Sequence, residues 1–350
     1  LEKILADSEI SIVIEVMGGV EPAKTFIEKC MKAGKSVVTA NKELISKHWG
    51  EIEAVAKANG VGFYFEASCV GGVPIIRTLK ESMQGDNIRM ITGIVNGTTN
   101  YILTKMTDEG MSYDDALKKA QELGYAEANP TADVEGFDAM YKLSILASLA
   151  FHTCIPYTAI YREGITKLTK SDVEYGKRMG YTLKLLAIAK RDGMRVEAHV
   201  NPTFIPNNHP MANVSDAFNA VYLQGHACGE MMFMGRGAGD MPTASAIVSD
   251  LLRASSTPVH CYPTFITDPS AAEKLQKNDD WRCAFYVRTM AIDAPGVLSR
   301  VAATFADHGV SIAAMQQKGE KRDGRIPMVF ITHRAYEKDM QQAVREIDPA

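Results

Sequence analysis

Three short apolar runs rich in β-branched residues, 11–17 (SIVIEVM), 36–40 (SVVTA) and 61–68 (VGFYFEAS), alternate with two helical patterns at 23–34 and 42–60. Connections this short between strand, helix and strand leave few options, because parallel strands joined by a helix must cross over right-handed. The first 70 residues are therefore expected to form part of a doubly wound parallel sheet. Pro22 suits the first turn of the first helix, and Gly34 its end. The glycine-rich G-x-G-x-x-G turn that opens such folds is absent, and Leu1 falls inside an apparent helix. The first βα unit is expected upstream of Leu1, so residues 1–350 alone are expected to bind a dinucleotide poorly.

Beyond residue 70 the pattern changes. Helices are expected at 74–83, 97–109, 112–124, 133–151 and 216–223, and strands at 87–96, 195–205 and 229–235. Ser112 and Asp115 form a box-like start for the third of these helices. This mixture reads as an α+β domain with one open sheet face. A glycine-rich turn at 235–239 then leads into a helix that could return to the nucleotide domain. After a linker at 260–277, a strand (281–292), turn, helix (297–308), hairpin (310–318 with 326–334) and helix (336–348) follow the ferredoxin-like plan without its last strand.

The 350 residues carry 38 Lys and Arg against 42 Asp and Glu, a net charge of −4. No basic run offers a face for nucleic acid, and no apolar run reaches the roughly 18–20 residues that span a bilayer. Six cysteines without ligand spacing, and no leader-like segment, indicate reduced thiols and a cytoplasmic setting. The eight histidines are dispersed as well.

The densest chemistry lies at 124–142 (GYAEANPTADVEGFDAMYK), which holds Glu127, Asp133, Glu135, Asp138 and Lys142. Asp138 and Lys142 are one helical turn apart, at the start of a strongly apolar stretch. A partly desolvated lysine beside a carboxylate can serve as general acid or base, although the same spacing also describes an exposed ion pair. Asn96, Gly97 and Thr98 lie where a strand enters a helix, which suits a carboxylate or phosphate and equally suits simple capping. Glu66, in a glycine-rich bend (66–74, EASCVGGVP), could hold a hard cation with inward carbonyls, or the bend could be a hinge. Thr39, Asn41 and Lys42, with Gly18 and Gly19, fall at the carboxyl ends of the parallel strands, where ligands of open α/β sheets collect.

Taken in order, IVIEVMGGVEPA, SVVTANKELI, FEASCVGGVPIIRTL, GIVNGTTNYILTKM, GYAEANPTADVEGFDAMYK and GRGAGDMPTASAIVSDLL resemble homoserine dehydrogenase over nearly the whole chain. The segment from about residue 281, with DAPGVLSRVAATFADHGVSI, resembles an ACT regulatory domain. The resemblance implies a chain shortened at both ends, with NAD(P)-dependent interconversion of L-homoserine and L-aspartate 4-semialdehyde. It implies a nucleotide domain at 1–66 with 237–256, a catalytic and dimerisation domain at 67–236, and an ACT domain at 280–350. Lys142 takes the place of the catalytic proton donor, assisted by Asp138. Glu127 and Asp138 match carboxylates that hold the substrate, with Asp133 and Tyr125 as further candidates, and the helix start at Gly97 and Thr98 is the candidate to receive the substrate's carboxylate. Lys42, Gly124 and Gly237 match positions near NADP or NAD. Glu66 with the carbonyls of Cys69, Gly71 and Val73 matches a monovalent-cation loop, usually holding sodium.

An amino-acid effector, with threonine the natural choice, would lie near Asp293 and Gly296, and the protein would be a dimer or tetramer. The rival enzyme is an aspartate-semialdehyde dehydrogenase, which needs an activated cysteine; no histidine neighbours Cys69 in sequence. The rival of another class is an amino-acid sensor on a catalytically silent nucleotide fold.

Overall fold

A computed structural model describes residues 1–256, 276–277, 280–317 and 324–347. The chain divides into two compact units, Leu1–Gln276 and Lys277–Ala350. Residues 260–275 of the expected linker lie outside the described residues.

The first unit opens with α1 (Glu2–Ala6) and a parallel sheet ordered β1-β2-β3, formed by Ile12–Glu15, Ser36–Thr39 and Phe63–Tyr64. Helices α2 (Ala23–Lys32) and α3 (Lys42–Ala58) supply the crossovers. Their apolar stripes explain why they form: Ile27, Cys30 and Met31 from α2 meet Leu44, Ile52 and Ala56 from α3 in one core with Val37. The expected parallel topology is present. The expected strand at 61–68 is shortened to two residues, because the chain turns at Glu66 into a 3-10 turn (Glu66–Ser68).

The expected helix at 74–83 is α4 (Ile75–Arg77) running into a π-turn (Thr78–Ser82). A larger mixed sheet follows, in the order β7-β6-β4-β8-β9, with β5 (Tyr161–Arg162) parallel to β7. Its strands are β4 (Ile88–Ile94), β6 (Tyr181–Asp192), β7 (Arg195–Pro206), β8 (Phe218–Gly225) and β9 (Glu230–Arg236). All neighbours along that order are antiparallel. Helices α5 (Gly97–Asp108), α6 (Tyr113–Glu122), α7 (Thr131–Val134), α8 (Phe137–Ala150) and α9 (Lys170–Arg178) accompany it. Leu143, Ile145, Leu146 and Leu149 of α8 join Ile91, Leu185, Val200 and Val221 of the sheet in the largest core. Finally α10 (Asp240–Ser256) returns to the start of the chain, and its Asp250 Oδ2 accepts the Glu66 N–H at 2.7 Å.

Three expectations are corrected. Residues 216–223 are not helical; they supply most of β8, whose pairing on both edges outweighs a weak local preference. The twelve-residue β6 has no counterpart among the expected strands. The long helix expected at 133–151 is two helices, separated by Gly136 at φ +79°. A left-handed residue ends helical hydrogen bonding there, and glycine adopts it without penalty.

The second unit has strands Tyr286–Ile292, Ile312–Gln317 and Arg325–Thr332, with the last in the centre and antiparallel to both others. Helices Val297–Asp307 and Glu337–Ile347 complete a βαββα unit around Phe305, Phe330, Met328 and Met340. The strand expected at 281–292 is divided, with Arg282–Cys283 pairing instead with Ala335–Tyr336.

Candidate active site

Because α8 is apolar on nearly every side, its one lysine is carried into the interior. Lys142 is 8% exposed. Its ammonium donates to the Val95 carbonyl at 2.8 Å and to Asp138 Oδ2 at 2.7 Å. An ammonium has three N–H donors; the third has no partner among the described residues. The exposed i,i+4 ion pair, open on spacing alone, is thereby excluded.

Asp138 holds a second cation. Lys42, the first residue of α3, places its Nζ 2.9 Å from Asp138 Oδ1. Asn96, at the end of the strand leading into α5, joins the group from the other side. Its Nδ2 donates to Asp138 Oδ2 at 2.8 Å and to Asp133 Oδ1 at 2.7 Å, while its Oδ1 accepts the Thr99 N–H at 2.8 Å and so caps α5. The Gly136 break is what lets Asp133 and Asp138 approach Asn96 from separate helices. Sequence reasoning offers Asn96 as part of an anion-receiving helix start or as a cap, and misses that its amide is the hub between both carboxylates.

Burial would push the Asp138 carboxyl up, but the ammoniums of Lys142 and Lys42 and the Asn96 amide hold it well below the ordinary range. Asp138 in turn raises Lys42. Asp133 is pushed up by burial and by the Asp138 charge beside it. The centre thus keeps a fixed ammonium beside a permanent carboxylate, with a second carboxyl that is easier to protonate.

The other expected substrate residues are more open. Thr98 donates its hydroxyl to the Tyr125 carbonyl at 2.6 Å. The Tyr125 ring lies 4.8 Å from that of Tyr101 and is half exposed. Glu127 is exposed on the loop before α7, and its carboxylate bonds to no described residue; the structure does not bring it into the buried cluster.

Glu66 sits at a second buried centre. Its Oε1 and Oε2 accept the N–H groups of Ile76 and Arg77, each at 2.8 Å, which stops the start of α4 from being left unpaired. Burial pushes its carboxyl up to about 7, against the pull of those two N–H groups. Val70 (φ +48°) and Gly71 (φ +49°) are consecutive left-handed residues that turn the bend. The Cys69 and Gly71 carbonyls accept no hydrogen bond from described residues, whereas that of Val73 accepts from Ile75 at 2.8 Å. Cys69 is fully buried, and burial raises its thiol to about 12. A thiol that keeps its proton at neutral pH is a poor nucleophile. Among the described residues no group of three or more His, Cys, Asp or Glu could hold a metal, so any cation at Glu66 would depend on carbonyls.

At the carboxyl ends of β1 and β2, side chains tie one turn to the next. Thr39 donates to Glu15 Oε2 at 2.6 Å and accepts the Asn41 N–H at 3.0 Å. Asn41 donates to the Gly19 carbonyl at 2.6 Å and caps α3 through Leu44. Gly18 and Gly19 have φ of +74° and +71°, and a Cβ on either would meet nothing within 4 Å. This open cradle of backbone fits the phosphate-bearing part of a dinucleotide. Thr39 and Asn41 shape it rather than point into it, and Lys42 faces Asp138. Gly124 (φ +76°) is exposed, while Gly237 is buried against Asn219. In the second unit, Asp293 and Gly296 (φ +85°) form the exposed turn before Val297–Asp307.

Comparison with known proteins agrees over almost the full length. Residues 74–252 match the homoserine dehydrogenase family model, residues 1–66 the homoserine dehydrogenase NAD binding domain, and residues 285–348 the ACT domain. A homoserine dehydrogenase of Bacillus subtilis is 41% identical over 347 residues, covering 99% of this chain and 80% of the relative. One from Mycobacterium leprae is 44% identical over 353 residues, covering 98% and 80%. The crystal structure of a homoserine dehydrogenase from Thiobacillus denitrificans superposes with a TM-score of 0.90 at 41% identity, over 99% of this chain and 80% of that one. A hyperthermophilic archaeal homoserine dehydrogenase in complex with NADPH gives 0.62 at 29% identity, over 73% and 74%.

Proposed function

This chain belongs to the homoserine dehydrogenase family, and from that premise we propose that Lys142 moves the proton in the family's reaction. That reaction is the NAD(P)-dependent interconversion of L-homoserine and L-aspartate 4-semialdehyde, and it is the activity of this chain. The observation that carries the proposal is the Lys142 ammonium, fixed at two of its three donors by Val95 and Asp138.

When bound, the nicotinamide cofactor supplies the hydride for aldehyde reduction or accepts it from the alcohol. Charge develops on the substrate oxygen in the first direction. The third N–H of Lys142 stabilises that charge and delivers the proton; in reverse, Lys142 receives it. Asp138 aims the ammonium and offsets its charge, and Lys42 aims Asp138. The substrate's own ammonium is held by Asp133, with Glu127 and Tyr125 closing from the loop. Asp138, already shared between two lysines, contributes mainly through its charge. The substrate carboxylate is received at the start of α5 by the N–H groups of Gly97 and Thr98.

Gly18 and Gly19 would hold the cofactor as the open backbone cradle that Thr39 and Asn41 shape, and Lys42, Gly124 and Gly237 would complete its site. Sodium at Glu66 and the carbonyls of Cys69, Gly71 and Val73 is part of the same reading, supported by the two free carbonyls. Residues 1–66 with 237–256 serve as nucleotide domain, 67–236 as catalytic and dimerisation domain, and 280–350 as regulatory domain, in a dimer or tetramer working in the cytoplasm. The ACT domain points to a small-molecule effector, here assigned as threonine at Asp293 and Gly296. No helix among the described residues is long and apolar enough to cross a membrane.

The thioester route of an aspartate-semialdehyde dehydrogenase is disfavoured by the Cys69 thiol, and the matched families do not support the silent sensor. Lys142→Ala tests the proposal. In the intact protein, kcat is expected to fall about 10³-fold with the Kd for NADPH within about twofold of wild type. Turnover near the wild-type rate would remove the role given to Lys142.

A further inference from the structure

Asn219, near the start of β8, takes no part in the reaction as described. It shares the face of the strand with Val221 and Leu223, toward the helices. It is 1% exposed, and neither its amide nitrogen nor its amide oxygen has a hydrogen-bond partner among the described residues. A buried amide left unpaired is costly, and folded proteins retain one where something else completes it.

Its surroundings are two glycine positions of the site. A Cβ on Gly237 would lie 2.0 Å from Asn219 Cγ and 2.2–2.3 Å from both polar atoms. A Cβ on Gly97 would lie 3.4 Å from Asn219 Oδ1. The amide therefore lies between the 237–239 turn and the start of α5, covered by the turn's backbone. Gly71 closes on the same turn, where a Cβ would stand 2.5 Å from the Gly237 carbonyl.

We propose that Asn219 is a positioning residue for the dinucleotide: with cofactor bound, its unpaired amide takes up backbone groups of the 237–239 turn and so locks that turn against the start of α5. The inference rests on the reading that places the cofactor beside Gly237. It requires the ligand-free turn to differ from the bound one by a small shift, and the free energy of the new hydrogen bonds then appears as cofactor affinity. A packing role alone would act on stability, with or without cofactor.

Asn219→Leu keeps the volume and removes the amide. In the intact protein, the melting temperature without ligand is expected to equal or exceed that of wild type, because no polar group is left unpaired. The Kd for NADPH by calorimetry is expected to weaken about tenfold, the weight of one buried hydrogen bond. An unchanged Kd overturns the proposal, whatever the melting temperature does. Should the variant fail to fold, the side-chain amide of Asn219 in the ¹⁵N-labelled wild-type protein decides the same question. Its hydrogen exchange is expected to slow at least about tenfold on adding NADPH, and an unchanged rate overturns the proposal. Both readouts are binding measurements, so a wild-type protein that bound NADPH without oxidising homoserine would refute the catalytic reading separately.

Discussion

Asp138 and Glu66 are equally hidden, each 5% exposed, yet their carboxyls are displaced in opposite directions. Asp138 meets two ammoniums and an amide; Glu66 meets two backbone N–H groups and has the Asp250 charge nearby. Full positive charges outweigh the cost of desolvation, and neutral donors do not. Burial alone therefore says little about what a carboxylate does here. Asp138 is a permanent anion suited to holding a lysine, and Glu66 is a carboxyl that changes charge near neutrality, where a cation would bind by favouring its ionised form.

The contrast can be broken at either end. The largest effect is expected from Asp138→Asn, which leaves the buried Lys142 and the partly exposed Lys42 near each other without their shared anion. Breaking a buried pair in this way costs about 3–5 kcal/mol. Urea denaturation should show that loss, and kcat is expected to fall about 100-fold as the ammonium loses its aim.

At Glu66 the effect is smaller and depends on pH. Its folded value of about 7 exceeds the ordinary 4.5, so between these values the folded protein retains a proton that the unfolded chain releases. Stability at this site is greatest below about pH 4.5 and declines as pH rises through about 7, by about 3 kcal/mol in all. Glu66→Gln should flatten this part of a stability-against-pH curve. An excess of sodium should flatten it in wild type, if the proposed cation loop is correct. Asp138 has the opposite sign: its contribution is present above the ordinary carboxylate value and is lost only as pH falls toward its lowered folded value.

The smallest effect is expected at the break that separates the acidic residues. Gly136→Ala forces a side chain into a left-handed conformation, with Arg162 and Val200 each 3.4 Å from the new Cβ. About 1 kcal/mol of stability should be lost, with a modest rise in KM for homoserine as Asp133 is displaced. An unchanged KM would show that the position of Asp133 is not set by this break.

Much of the centre is legible in the sequence itself. The i,i+4 spacing of Asp138 and Lys142, followed by an apolar helix, is a local pattern, and local patterns survive folding. The alternation at the start of the chain likewise announces the parallel sheet. What escapes is decided by distant partners. Lys42 reaches Asp138 from another domain-scale segment, and Asp250 meets the Glu66 N–H from the far end of the unit; neither pairing leaves a mark in spacing. The stretch at 216–223 alternates too briefly for its period to be decided, and its pairing with β4 and β9 settles the matter. Gly136 interrupts a pattern that otherwise continues smoothly, and one glycine in a helical run does not by itself declare a break. Glu127, matched by resemblance to the substrate site, stands apart from the buried cluster.

The most direct measurement is kcat for Asp138→Asn, Lys142→Ala and the double variant together. If Asp138 acts by holding the Lys142 ammonium against the reacting oxygen, the double variant will turn over at the rate of Lys142→Ala alone, the second loss adding nothing. Losses that multiply across the two sites would contradict that account, since Asp138 would then contribute by a route that does not pass through Lys142.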